Sequence, residues 1–179
     1  LKEDSETAPG PARQRAQEMI NDGADMIVGT VSGSSARAVS DLGRQEQVIV
    51  CGASAAIVTT GEECHPYWFP NDPSVYTYGN GGIGHVFREG MGDNLFTISS
   101  DFIYPQSFVR VIDEYLSGEW GIDYNPENDN IFTGFGQSDY SQALTEFQNS
   151  DKDVLAPIAF GSDMVNLLNQ AWEFGLPQN

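Results

Sequence analysis

Gly23 to Asp41 runs G-A-D-M-I-V-G-T-V-S-G-S-S-A-R-A-V-S-D, and this stretch decides the fold class. Asp25–Val28 is a short apolar strand, and Ser32, Gly33, Ser34 and Ser35 form a small polar turn. Ala36 to Leu42 continues as helix. A helix start leaves backbone N–H groups unpaired and carries partial positive charge. Serine hydroxyls there either cap the helix or turn outward to a ligand. At the carboxyl end of a parallel strand, such a turn suits a small anion such as a carboxylate. A plain helix cap in an α/β protein is the simpler alternative.

The same alternation continues on both sides. Pro11–Asp22 reads as a helix with Ala12, Ala16, Met19 and Ile20 on one face and Gly23 just past its end. Strand Val48–Cys51 follows helix Ser34–Arg44, then a polar loop, Gly52–Pro66, and a short extended segment, Tyr67–Phe69. A second series begins with a glycine-interrupted helix, Ser74–Glu89, and strand Asn94–Ser99. Helix Tyr104–Leu116 turns Phe108, Val111, Ile112 and Tyr115 inward. A polar turn, Asn125–Asn130, precedes strand Ile131–Thr133. Helix Tyr140–Phe147, strand Val154–Ala159 and helix Asp163–Phe174 complete the series. Strands alternating with helices imply an α/β fold with parallel sheets flanked by helices. Pro70-Asn71-Asp72-Pro73 marks a crossover between residues 1–72 and 73–179.

The 179 residues carry 26 acidic and 8 basic side chains, a net charge of −18. That sign excludes an electrostatic nucleic-acid binder and disfavours anionic lipid. Asp4, Glu18, Asp41, Glu89, Asp113 and Glu127 show how dispersed the acids are. With 40% hydrophobic residues the chain is not of disordered composition. A dispersed acidic shell fits a protein from a salt-loving organism, where screening relieves self-repulsion. There is no apolar run of membrane-spanning length. Cys51 and Cys64 could close a disulfide across the intervening loop in an extracytoplasmic protein, or remain free. Cys64-His65 lacks the partners of a zinc site.

Two enzyme-like patterns compete. Gly79-Asn80-Gly81-Gly82-Ile83-Gly84 matches the dinucleotide fingerprint, with Asp101 at about the right distance for a ribose. It needs a buried strand before it, and Pro73–Tyr78 is short and polar. Gly52-Ala53-Ser54-Ala55-Ala56 after a strand has the outline of a nucleophile elbow, which would need His65 or His85 beside Ser54 and an orienting acid. His85 fits a helix surface better.

The order of pieces resembles the extracellular solute-binding proteins of ABC importers, in the branched-chain amino acid and amide group. The likeness lies in A-R-Q-R-A-Q-E-M-I-N-D-G before the first strand, the serine turn with A-V-S-D-L, and V-I-V-C-G-A-S-A-A. It continues in T-G-E-E-C-H-P-Y-W-F, in D-F-I-Y at Asp101–Tyr104, and in A-F-G-S-D at Ala159–Asp163 ahead of A-W-E-F-G-L.

The resemblance implies a two-lobed type 1 periplasmic-binding-protein fold present as a partial chain. Residues 1–72 would be the later part of lobe one, and 73–179 the first part of lobe two. It implies a non-enzymatic protein that holds a branched-chain or related amino acid, or a small amide, between lobes. Such a protein delivers its ligand to a membrane permease and uses no cofactor or metal. The location would be extracytoplasmic, periplasmic or at the cell surface, with a lipid anchor in the full-length protein. Carried over by position, Ser32, Gly33 and Ser34 take the ligand carboxylate. Ala53, Ser54 and Ala55 add a second turn, and Tyr104 and Phe160 cover the ligand. The chain departs from the pattern at Ala55 or Ala56, where relatives often have threonine, and at Phe69, where many have arginine. A sensory domain of the same fold is the alternative, and an NAD-dependent oxidoreductase a distant one.

Overall fold

In the computed structural model, residues 2–176 are described. The chain divides into two compact units, Leu1–Val75 and Tyr76–Asn179. Each holds a three-stranded parallel sheet flanked by helices, the α/β class expected from the alternation.

The first unit begins with α1 (Pro9–Asn21), whose proline sits in the first turn, where its missing N–H costs nothing. Gly23 follows at φ +94°, a conformation other residues avoid. Then come β1 (Met26–Val28), α2 (Gly33–Glu46), β2 (Ile49–Gly52), α3 (Ile57–Thr60) and β3 (Trp68–Pro70). The sheet order is β1-β2-β3, all parallel. Ile27, Val50 and Trp68 lie in register and are buried against Ala12 and Ala16 of α1 and Ala36, Val39 and Leu42 of α2. The apolar spacing of both helices is what turns these residues inward.

The second unit takes in most of α4 (Val75–Gly81), then α5 (Ile83–Arg88), β4 (Leu95–Ser100) and α6 (Ile103–Val111). A π-helical turn, Ile112–Leu116, runs into α7 (Ser117–Trp120). There follow α8 (Pro126–Asp129), β5 (Asn130–Thr133), α9 (Ser141–Asn149), β6 (Val154–Ile158) and α10 (Ser162–Glu173). The order is β5-β4-β6, all parallel. β4 is buried at every position. Phe96 and Ile98 pack with Leu144 and Phe147 of α9 and Leu167 and Ala171 of α10. On alternate positions Thr97 Oγ1 shares a hydrogen bond of 2.7 Å with the Tyr124 hydroxyl.

Several local expectations change. The glycine run breaks Ser74–Glu89 into α4 and α5 at Gly82. Tyr115, expected on the inner face of one long helix, is exposed, and Leu116 is buried instead. The π turn inserts a residue and rotates the phase of the residues after it. The turn Asn125–Asn130 holds a helical turn, α8, because Pro126 starts it and Asn125 Oδ1 accepts the Glu127 N–H at 3.0 Å. Cys51 and Cys64 are both free thiols, so the disulfide is not formed.

Candidate functional site

Parallel α/β sheets present ligand-binding loops at the carboxyl ends of their strands. In the first unit, β1 runs into Gly29 at φ +135° and Thr30 at φ +66°. A β-branched residue in the left-handed region is costly, and strain of this kind gathers at functional loops. The Oγ1 of Thr30 is buried and finds no hydrogen-bond partner, and the same holds for the Oγ of Ser35 at the start of α2.

Ser32 is the N-cap of α2, with extended backbone, but its side chain makes no capping bond. Gly33 is buried and Ser34 half-buried. The first helical bond is Ala36 N–H to Ser32 C=O at 2.8 Å. The N–H groups of Gly33, Ser34 and Ser35 therefore lack helical acceptors and point out of a 14-residue helix. Uncommitted hydroxyls beside unpaired amides suit a carboxylate.

The second turn is mostly occupied with holding itself. The Ala53 N–H donates to the Thr30 carbonyl at 3.2 Å, which joins the loops after β1 and β2. Ser54 is 2% exposed, and its hydroxyl lies 3.1 Å from that of Thr59. Ala55 is buried, and its carbonyl accepts the Val75 N–H at 2.8 Å. These contacts give the turn its shape and leave the Ser54 hydroxyl little freedom.

The nucleophile elbow fails on the same facts, because Ser54 is paired with Thr59. His65 instead lies 2.8 Å from the Ser40 hydroxyl through Nε2, while its Nδ1 faces the Tyr67 N–H at 3.3 Å. With Nδ1 accepting, Nε2 carries the proton and donates to Ser40, so it cannot act as a base toward that hydroxyl. Burial lowers the His65 pKa below its usual 6.5, and the Arg44 charge adds to this. His85 is exposed on α5 near Glu89.

In the second unit the strand ends carry aromatic rings. After β4 come Phe102 and Tyr104, stacked at 6.4 Å, with Phe108 edge-on to Tyr104 at 5.9 Å. After β5, Phe135 packs edge-on against Phe102 at 5.3 Å and is still 63% exposed. After β6, Phe160 is 57% exposed, followed by Gly161 at φ +60°, which turns the chain into α10. Asp163 ties these loops together. It is 1% exposed, and its Oδ2 accepts from the Ser100 hydroxyl at 3.2 Å and the Gly136 N–H at 3.0 Å. Thr30, Ser35, Phe102 and Phe135 escaped the sequence-based candidates. The signal available for the two rings was their place directly after a strand.

The glycine run Gly79–Gly84 is helical, lying in α4 and α5, and no strand feeds it. A Cβ on Gly84 would sit 2.5 Å from Trp120 Nε1, so helix packing accounts for that glycine. A groove of about 880 Å³ follows β6 between α9 and α10, lined by Phe147, Leu155, Leu167 and Trp172. None of the candidate residues lies in it. Among the described residues no cluster of side chains could hold a metal ion, and no helix is long and apolar enough to cross a membrane.

A family model described as periplasmic binding protein matches residues 1–179. None of the curated proteins matches the sequence. Among solved structures, an amino acid ABC transporter substrate-binding protein from Pseudomonas fluorescens Pf-5 is 25% identical, with a TM-score of 0.82 over 97% of this chain and 46% of its own. A solute-binding protein from R. palustris in complex with benzoate is 19% identical, with a TM-score of 0.84 over 99% of this chain and 49% of its own. A leucine-, isoleucine-, valine-, threonine- and alanine-binding protein from Brucella ovis is 21% identical, with a TM-score of 0.76 over 94% and 45%. The chain thus spans about half the length of the proteins it matches.

Proposed function

Because the chain belongs to the periplasmic binding protein family, we propose that it is part of the solute-binding component of an ABC importer. Its solute is a small carboxylate with an apolar body. What supports this is the chemistry found at the strand ends of each unit taken by itself. The start of α2 offers the amides of Gly33, Ser34 and Ser35 with the hydroxyls of Ser32 and Ser34. The second unit offers Tyr104 and Phe160. The first set takes a carboxylate, and the second shields an apolar group from water. Ala53, Ser54 and Ala55 shape the floor of the first set.

An amino acid or small amide of the branched-chain class is the first ligand reading. An aromatic acid is the second, favoured by the further rings Phe102 and Phe135 at strand ends of the second unit. Delivery to a membrane permease and an extracytoplasmic location, with a lipid anchor on the full-length protein, are parts of the same proposal. A sensory domain of this fold would use the same residues.

Calorimetry on the full-length protein against amino acids, amides and benzoates tests the proposal. One panel member should bind. Ser32→Ala or Ser34→Ala should then weaken it roughly tenfold to a hundredfold, the loss of one hydrogen bond to a charged group. Phe160→Ala should weaken a large apolar ligand more than a small one. If no member of the panel binds, the function is wrong. If one binds and the serine variants leave its affinity unchanged, the site assignment is wrong.

A further inference from the structure

Four aromatic rings form a row that climbs from the core of the second unit to the ends of its strands. Phe108 of α6 is buried at the base, edge-on to Tyr104 at 5.9 Å. Tyr104 stacks on Phe102 at 6.4 Å, and Phe102 meets Phe135 edge-on at 5.3 Å. Exposure rises along the row, from 6% at Phe108 to 63% at Phe135, with the two rings between them half-buried. The row joins the loop after β4 to the loop after β5, neighbours in the β5-β4-β6 sheet.

An isolated exposed apolar side chain is ordinary. Phe135 differs in two respects. It is the outer end of a contiguous aromatic surface, and its backbone is fixed. It sits inside a turn closed by the Gln137 N–H, which donates to the Gly134 carbonyl at 3.2 Å. Gln137 Oε1 accepts the Gly134 N–H at 3.2 Å, and Asp163 accepts the Gly136 N–H at 3.0 Å. Gly136 permits the turn by standing at φ +83°. Three hydrogen bonds thus hold four residues, so little backbone freedom is left to lose when a ligand covers the ring. Aromatic rings favour one another in offset-stacked or edge-on arrangements, beyond what their buried area contributes. The open part of the Phe135 ring therefore distinguishes a flat aromatic body from a puckered aliphatic one of the same size.

We infer that Phe135 is a specificity-determining residue of the solute site: the aromatic body of the solute adds one more ring to the row. The inference rests on the strand-end site of the proposed function, and it selects the aromatic acid over an aliphatic one. A carboxylate is common to both classes, so the selection falls on the apolar body and on the ring that meets it.

Benzoate and cyclohexanecarboxylate are the probes, since they share the carboxylate and the ring size and differ in flatness and π-electrons. In calorimetry on the full-length protein, benzoate should bind more tightly by about threefold to tenfold. Phe135→Leu keeps an apolar side chain at this exposed position and should bring that ratio close to one, with Phe135→Met as the second ring-free variant. Phe135→Tyr keeps the ring and should keep the ratio. A purely structural Phe135 would weaken both probes together, so an equal loss in the leucine variant overturns the inference. A ratio near one in the wild type, or one unchanged by Phe135→Leu, overturns it as well. Binding of amino acids but of neither probe overturns it and leaves the solute-binding function in place. If no amino acid, amide or benzoate binds, both fall.

Discussion

The carboxylate of Asp163 accepts the backbone N–H of Gly136 at 3.0 Å, joining the first turn of α10 to the loop after β5. The same oxygen takes the Ser100 hydroxyl from the end of β4. One buried acid therefore holds together the strand ends that carry Phe102, Phe135 and Phe160.

Removing that acid should be costly. Asp163→Ala strands a buried hydroxyl and a backbone amide, and each unsatisfied group costs about 1–3 kcal/mol. A loss of roughly 2–4 kcal/mol is expected in urea unfolding. Asp163→Asn keeps an acceptor and should cost less than half as much. Equal stability of Asp163→Ala and wild type would show that the bonds hold nothing.

Gly84 faces the indole of Trp120, which stacks on Phe87 at 5.5 Å. Gly84→Ala gains up to about 1 kcal/mol of helix propensity but overpacks a rigid ring, at about 1–3 kcal/mol. A net loss of about 1 kcal/mol or more is expected by thermal unfolding. Gly81, with open space around its Cβ position, is the control and should gain stability as alanine.

His65 gives a pH signature. Its pKa is lowered on folding, mainly by burial, so the unfolded chain binds the proton more tightly. Its contribution to stability is complete above pH 6.5 and is lost as pH falls below that value. The Tm should therefore drop between pH about 7.5 and about 5.5, and His65→Gln should flatten that slope. An unchanged slope in the variant would clear His65 of any part in it.

The dispersed acidic surface predicts salt-dependent stability. Screening shortens the Debye length from about 30 Å at 0.01 M to about 3 Å at 1 M. With a net charge of −18, the Tm should rise steadily with KCl. A flat circular-dichroism melting profile across that range would remove the salt-adaptation proposal.

Much of the architecture was visible in the sequence because its signals are local. Pro11 to Gly23 announces all but the first two residues of α1, since an apolar stripe and a left-handed glycine each act within a few residues. The serine turn at the start of α2 is equally local. The π turn at Ile112–Leu116 was not legible, because its extra residue is tolerated only when tertiary packing holds it. The commitment of Ser54 to Thr59 was also hidden, because a turn sequence does not say which way a hydroxyl points.

By itself the sequence determined the alternation of strand and helix, the acidic surface and the polar start of α2. These rest on periodicity, charge and capping, which are properties of neighbours along the chain. Only the tertiary structure decided the strand orders β1-β2-β3 and β5-β4-β6. It likewise decided the pairing of Phe102 with Phe135, the staple at Asp163 and the exposure of Val28 and Phe69. Those depend on which distant strand each crossover returns to, and that choice is set by handedness and burial over the whole unit.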